Sequence, residues 1–252
     1  MRGLVGEELL TAWERSRELP AQKAALELLA LACPERPVGE WPRLSLGERN
    51  ALLLELQAAT LGRRMEGFAV CPECGAQLEF AVDAWELARG LRAQGMEAAG
   101  GHAGIAMRPA NTLDLLASSE AENEEEARAI LLARTAQVCD AAEDREEPAG
   151  AADSAARWLA AQPEPAAALL AEQFERVNAA AEIRVQLDCA ACGMQTLLEM
   201  DIVRFLLREI GAAARRLMAE IHELAGAYGW SEAAIAAMSS VRRSAYLEML
   251  ST

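Results

Sequence analysis

Two short cysteine pairs constrain this chain more than any other feature. They are Cys71-Pro72-Glu73-Cys74-Gly75 and Cys189-Ala190-Ala191-Cys192-Gly193, with 114 residues between Cys74 and Cys189. One C-x-x-C pair offers two thiolates, half of what tetrahedral zinc takes, so two pairs complete one closed four-thiolate site. A closed site leaves no position for water or substrate, which points to a structural metal and away from a catalytic one. The expected ligands are Cys71, Cys74, Cys189 and Cys192, and the expected cofactor is structural zinc. A disulfide within one pair and reduced thiols in a core are the alternatives. A thioredoxin-type motif would set the second cysteine on a helix, whereas glycine and an alternating segment follow each pair here. Cys33 and Cys139 stand alone in apolar, helical contexts and read as small buried hydrophobes.

The two pairs lie in matching surroundings. Met65 to Val70 and Leu78 to Val82 flank the first, and Ile183 to Leu187 and Leu197 to Met200 flank the second. Each set reads as strand, knuckle, strand, which makes a β-hairpin with cysteines at its tip. An aspartate and a helical pattern follow each hairpin, Asp83 before Ala84-Trp85-Glu86-Leu87 and Asp201 before Ile202-Val203-Arg204-Phe205. Aspartate at an N-cap accepts an otherwise unpaired backbone N–H. Cys71 precedes Asp83, and Cys189 precedes Asp201, by the same spacing. The chain therefore reads as an internal repeat of hairpin plus helix, related by a pseudo-twofold axis through the metal.

The remainder reads as mostly helical. Residues 6–33 form one or two helices with a break at Pro20, and Pro34 to Pro42 mark a loop. Ser45 with Glu48 forms a capping box for a helix running to about Thr60 and stopping near Gly62. Gly95 to Gly104 reads as a loop, Ile105 to Arg108 as a short strand, and Thr112 and Glu122 as the starts of two helices, the second reaching Val138. Asp140 to Ser154 is an acidic loop. Helices near 154–161 and 165–179 lead back to the second hairpin. The best-patterned segment, Asp201 to Tyr228, should end with Gly229 in a left-handed cap. Ser231 caps a short helix through Met238, and Ser239 or Ser240 caps the last. The fold class is mainly α with two small β-hairpins (α+β), a split four-cysteine zinc ribbon with a helical insertion. Four segments result: a helical region at 1–62, the first knuckle hairpin and helix at 63–104, the acidic helical insertion at 105–180, and the second knuckle hairpin with the C-terminal helices at 181–252.

Charge and motif content exclude several functions. The formal net charge is −15, so the chain repels nucleic-acid phosphate unless its basic residues cluster. No run of about 18 apolar residues suggests a membrane span. The N-terminus lacks the apolar core of a secretory signal, and reduced cysteines fit the cytoplasm. His222-Glu223 begins like a zincin motif, but position 226 is glycine and the second histidine ligand is missing. Leu224 to Ile235 resembles a helix-turn-helix, yet its second helix offers alanines where base contacts need polar and basic side chains. No phosphate loop, nucleophile elbow or dinucleotide fingerprint is present, so no enzyme is expected.

Leu9 to Arg15, Leu44-Ser45-Leu46-Gly47-Glu48-Arg49, the first knuckle, Arg108-Pro109-Ala110-Asn111-Thr112-Leu113-Asp114-Leu115, and most of all Glu220 to Glu232 with Arg242-Arg243 and Tyr246-Leu247 carry a resemblance to a known family. It is that of the zinc-knuckle baseplate proteins of T-even-like contractile-tailed phages and of phage-derived contractile injection systems. The second knuckle departs from it, with Ala190 where the family prefers proline. The resemblance implies a non-enzymatic structural or assembly protein of the baseplate hub. Its implied partners are other hub, spike or tube proteins, with no nucleic acid and no membrane. It would be cytoplasmic during assembly and then part of the tail or injection-system particle. The competing class is a zinc-ribbon adaptor for nucleic acid or a transcription complex, which would need a basic face near Arg63, Arg64 and Arg184. Trp13, Trp41, Trp158, Trp230 and Tyr246 divide between core and interface, with core the better expectation for each.

Overall fold

The structure is a computed structural model describing residues 1–97, 105–138, 161 and 164–250. Cys139, Trp158, residues 98–104 of the glycine-rich stretch, the acidic loop and most of the helix near 154–161 lie outside the described residues. The fold is mainly α with small two-stranded sheets. The chain forms two compact units. The first gathers Met1–Val38, Leu52–Trp85 and Gln186–Thr252, and the second Gly39–Ala51 and Glu86–Val185.

In the first unit, α1 (Glu7–Ser16), α2 (Ala21–Ala32) and α8 (Ile202–Tyr228) pack on one another, and α9 (Glu232–Ala236) and α10 (Ser240–Leu250) pack on α8. The break at Pro20 falls where proline ends a helix run, and Pro20 itself sits at the N-cap of α2. The seam of α8 is buried at Val203, Leu206, Ile210, Ala214, Leu217, Ile221 and Leu224, the i, i+3, i+4 set of the sequence pattern, except that Leu207 of that set is only half-buried. Asp201 accepts the Arg204 N–H at 3.1 Å to start α8, and Gly229 ends it in the left-handed region at φ 68°. Ser231 caps α9, and Ser239 caps α10 by accepting the Arg242 N–H at 3.3 Å. Cys33 is buried, as an apolar residue would be. Burial also pushes its thiol up.

Two hairpins belong to this unit, the second from Gln186 on. Strands β1 (Arg64–Val70) and β2 (Gln77–Asp83) pair antiparallel with Met65 opposite Val82 and Phe68 opposite Glu79. Met65 and Leu78 are buried on one face, while Phe68 and Val70 are exposed on the other, the alternation of a sheet with one solvated face. Gly67 lies opposite Phe80, whose ring covers it so closely that a Cβ there would meet the ring at 2.5 Å. The second hairpin is β5 (Arg184–Asp188) with β6 (Gln195–Glu199).

The second unit contains the rest of α3 (Leu46–Thr60), whose residues from Leu52 on belong to the first, and α4 (Ala84–Glu97) from Glu86. It also holds α5 (Thr112–Ser118), α6 (Glu124–Thr135) and α7 (Glu164–Asn178). Two expectations are corrected here. The second insertion helix stops at Thr135, and β4 (Ala136–Val138) pairs antiparallel with β3 (Ile105–Met107), so a third two-stranded sheet joins the two hairpins. Thr135 turns the chain: its hydroxyl donates back to the Leu131 carbonyl at 2.7 Å, and Ala136 is already extended. The proline-rich loop contains a 3-10 helix, Val38–Arg43, which places Trp41 in the core. Met107, Leu132, Leu170 and Val177 form a small core, with Ala136 and Phe174 against it.

Two of the stretches that carry the family resemblance meet inside this unit. Ser45 bridges Asn111, the Leu46 N–H donates to the Ala110 carbonyl at 2.8 Å, and Arg49, buried, donates to the Thr112 hydroxyl at 3.1 Å. Asn111 and Asp114 form a reciprocal capping box for α5. Asp114 is fully buried and accepts four bonds: two from Arg108, at 2.6 and 3.0 Å, one from Arg134 at 2.9 Å and one from the Asn111 N–H at 3.0 Å.

Candidate metal centre

Each knuckle is built by the same backbone bonds. The Cys71 N–H donates to the Ala76 carbonyl at 2.9 Å and the Gly75 N–H to the Cys71 carbonyl at 3.0 Å. In the second copy the Cys189 N–H donates to the Met194 carbonyl, and the Gly193 N–H to the Cys189 carbonyl, both at 2.8 Å. Gly75 and Gly193 take φ of 73° and 72°, a left-handed conformation that glycine adopts without a Cβ penalty. This tight turn folds each C-x-x-C so that both sulfurs lean to one side. It explains why glycine follows the second cysteine in both pairs.

The first cysteine of each pair is buried and the second exposed. All four sulfurs lie within 4.8 Å of one another. Cys71 Sγ is 3.7 Å from Cys192 Sγ, and Cys74 Sγ is 3.7 Å from Cys189 Sγ. The first cysteine of one knuckle thus meets the second of the other, the exchange that a twofold relation produces. These separations are too long for a disulfide, whose sulfurs sit about 2 Å apart. Four sulfurs at about 2.3 Å from one tetrahedral ion would stand about 3.8 Å from each other, so the donor set and its spacing fit a thiophilic divalent ion.

The electrostatics agree with that fit. The N–H groups of Cys192 and Ala191 point at the Cys189 sulfur and bring its thiol down to about 7. The Met194 N–H pulls Cys192 the same way, but lost solvation and the three neighbouring thiols outweigh it and push Cys192 up to about 12. Sulfurs this close do not all ionise side by side without a cation between them, and a divalent ion permits it.

The hairpins feed the helices as the repeat requires, with one difference. Asp201 lies outside β6, whereas Asp83 is the last residue of β2 and still accepts the Trp85 N–H at 2.8 Å. Asp83 also binds the Arg63 guanidinium at 2.9 Å. Arg64 pairs with Glu66 at 2.5 Å, and Arg184 with Glu182. The three arginines that a nucleic-acid adaptor would display are each matched to a carboxylate.

The C-terminal decoys resolve into packing. Helix α9 is a short turn of apolar and acidic residues. Beside it Tyr228 stacks on Trp230, with ring centroids 4.5 Å apart, and Tyr246 meets Trp230 edge-on at 4.8 Å. Arg243 is buried and donates to Glu220 and to the Met238 carbonyl, both at 2.6 Å. His222 is exposed on α8. Trp13, Trp230 and Tyr246 are half-buried, and Trp41 alone of the described candidates is fully in the core. Among the described residues no helix is long and apolar enough to cross a membrane.

A family model described as T4 bacteriophage base plate protein matches residues 4–206, a span that includes both cysteine pairs. The C-terminal stretch from Glu220 to Leu247, which carried most of the resemblance, lies beyond the matched residues. No curated protein and no solved structure matches the chain.

Proposed function

Because the chain belongs to the T4 bacteriophage base plate protein family, we propose that it is a non-enzymatic structural or assembly protein of the hub region of a contractile tail or contractile injection system. Cys71, Cys74, Cys189 and Cys192 hold a structural zinc ion that joins two remote stretches of the chain. The observation that carries this reading is the convergence of four thiols from two matching knuckles within 4.8 Å. A closed four-thiolate site supplies stability and leaves no coordination position for chemistry. Its partners are other baseplate hub, spike or tube proteins. The chain meets them in the cytoplasm during assembly, either as a component of the particle or as a factor that builds it.

The neutralised arginines beside the knuckles support this reading over a nucleic-acid adaptor. Metal content, cobalt spectroscopy and partner binding test it. Elemental analysis of freshly purified chain should return one zinc per molecule. Cobalt substitution should give the intense thiolate-to-metal absorption of a four-sulfur tetrahedral site. Co-expression with hub and spike subunits should give a stable complex, while labelled DNA and RNA should stay unbound. A metal-free preparation refutes the zinc assignment, and nucleic-acid binding without hub binding refutes the baseplate role.

A further inference from the structure

The groove between α1 and α8 carries a charge opposite to that of the molecule as a whole. It encloses about 360 Å3, and its lining includes Arg17, Arg208 and Arg215 with no carboxylate, in a chain of net charge −15. Arg17 lies over the Trp13 ring at 5.1 Å, and Arg208 lies over Phe205 at 4.9 Å, with only a loose 3.4 Å contact to Glu209. Arg17 and Arg215 have no carboxylate partner among the described residues. The floor is bare backbone at Gly211, where a Cβ would stand 3.5 Å from an Arg215 nitrogen and 3.7 Å from the Trp13 ring. Ring stacking holds guanidinium planes in place without using their N–H groups.

Such a groove offers several N–H donors and little to accept them. Guanidinium forks match carboxylates in two-point contacts. Leu19 and Leu207 line the same groove and suit aliphatic neighbours of that carboxylate. A nucleic-acid backbone would need an extended basic track, whereas the basic lining here is limited to three arginines around one groove. We propose that this groove is a docking site for an acidic, aliphatic peptide segment of a partner protein, with carboxylates on Arg17 and Arg215 and an apolar side chain against Trp13.

The inference rests on the reading of the chain as a protein-binding baseplate component, and its test separates the two. A short fluorescent peptide of alternating glutamate and leucine is titrated with the full-length, metal-loaded chain at low salt, and anisotropy is read. Saturable binding is expected, weakened roughly tenfold in the Arg17→Ala/Arg215→Ala double variant. The Arg17→Lys/Arg215→Lys variant keeps the charge but not the fork and recovers only part of the loss. Arg242→Ala, on α10, leaves binding unchanged. Equal binding by the double variant overturns the proposal, as does equal binding of a lysine-leucine peptide. Displacement of the peptide by an oligonucleotide of equal charge at equal concentration would make the groove a phosphate site and also overturns it. Metal content and melting of the variants are measured alongside and should match the parent. A change there would report on the metal centre, and recovery of binding in the lysine variant keeps the groove testable.

Discussion

Asp114→Asn should destabilise the second unit strongly, and the size of the loss follows from its surroundings. The carboxylate is fully buried and each oxygen accepts two bonds. An asparagine keeps one accepting oxygen and turns an NH2 group toward guanidinium donors, so about half the bonds are lost and two arginines lose their counter-charge. Removing one partner of a buried ion pair costs about 3–5 kcal/mol. The side chains of Arg108 and Arg134 retain 29% and 15% exposure, so water recovers part of their solvation and the lower end, about 3 kcal/mol, applies. For a chain of this size that is a fall in melting temperature of roughly 6–12 °C. Burial alone would raise the Asp114 carboxyl, but the Arg108 contacts, the Asn111 N–H and Arg134 outweigh it and hold the group below the usual carboxylate range. A depressed folded value means the contribution is fully present above the unfolded carboxylate value of about 4 and is lost as pH falls through the folded one. The gap between parent and Asp114→Asn should therefore be constant from neutral pH to about pH 5 and close only in stronger acid. Urea unfolding followed by circular dichroism across that range measures it. A gap under about 1 kcal/mol at neutral pH would place the pair in the class of weak, exposed bridges and refute the reasoning, as would a gap that closes well above pH 5.

Cys192→Ser, at an exposed position where serine fits, should abolish stoichiometric zinc. It should lower the melting temperature of the parent to that seen with a strong chelator; closing a loop of this length is worth about 5 kcal/mol in the chain-entropy picture. A variant that retains both metal and melting temperature would remove Cys192 from the ligand set. Gly75→Ala and Gly193→Ala should each cost about 1 kcal/mol from backbone strain alone, because neither added Cβ meets an atom within 4 Å. Unequal losses in thermal unfolding would show that the two knuckles are not equivalent turns.

Where the sequence pattern is local, it foretold the structure. The knuckle glycines, Asp201, Ser231 and Gly229 are read from spacing because each satisfies backbone groups within a few residues. The seam of α8 was legible for the same reason. What stayed hidden depends on distant partners. Ala136-Gln137-Val138 gives no strand signal of its own and becomes extended only against Ile105–Met107. Arg108 and Asp114 drew notice only through the family resemblance and Arg134 not at all, because the cluster they form around one buried carboxylate exists only in the fold. The cysteine cluster was legible across its long separation because metal-ligand spacing is a rule about the ion, independent of the intervening fold. The arginine groove was not, since Arg17 and Arg215 become neighbours only through helix packing.

The arrangement of the first unit also imposes an order on synthesis. Its two knuckles are encoded 114 residues apart, so Cys189 and Cys192 leave the ribosome on the order of ten seconds after Cys71 and Cys74 at ordinary elongation rates. During that interval the leading hairpin has no counterpart. Helices α8, α9 and α10 of the same unit are translated later still, so this unit reaches its final arrangement only after Leu250 has been made.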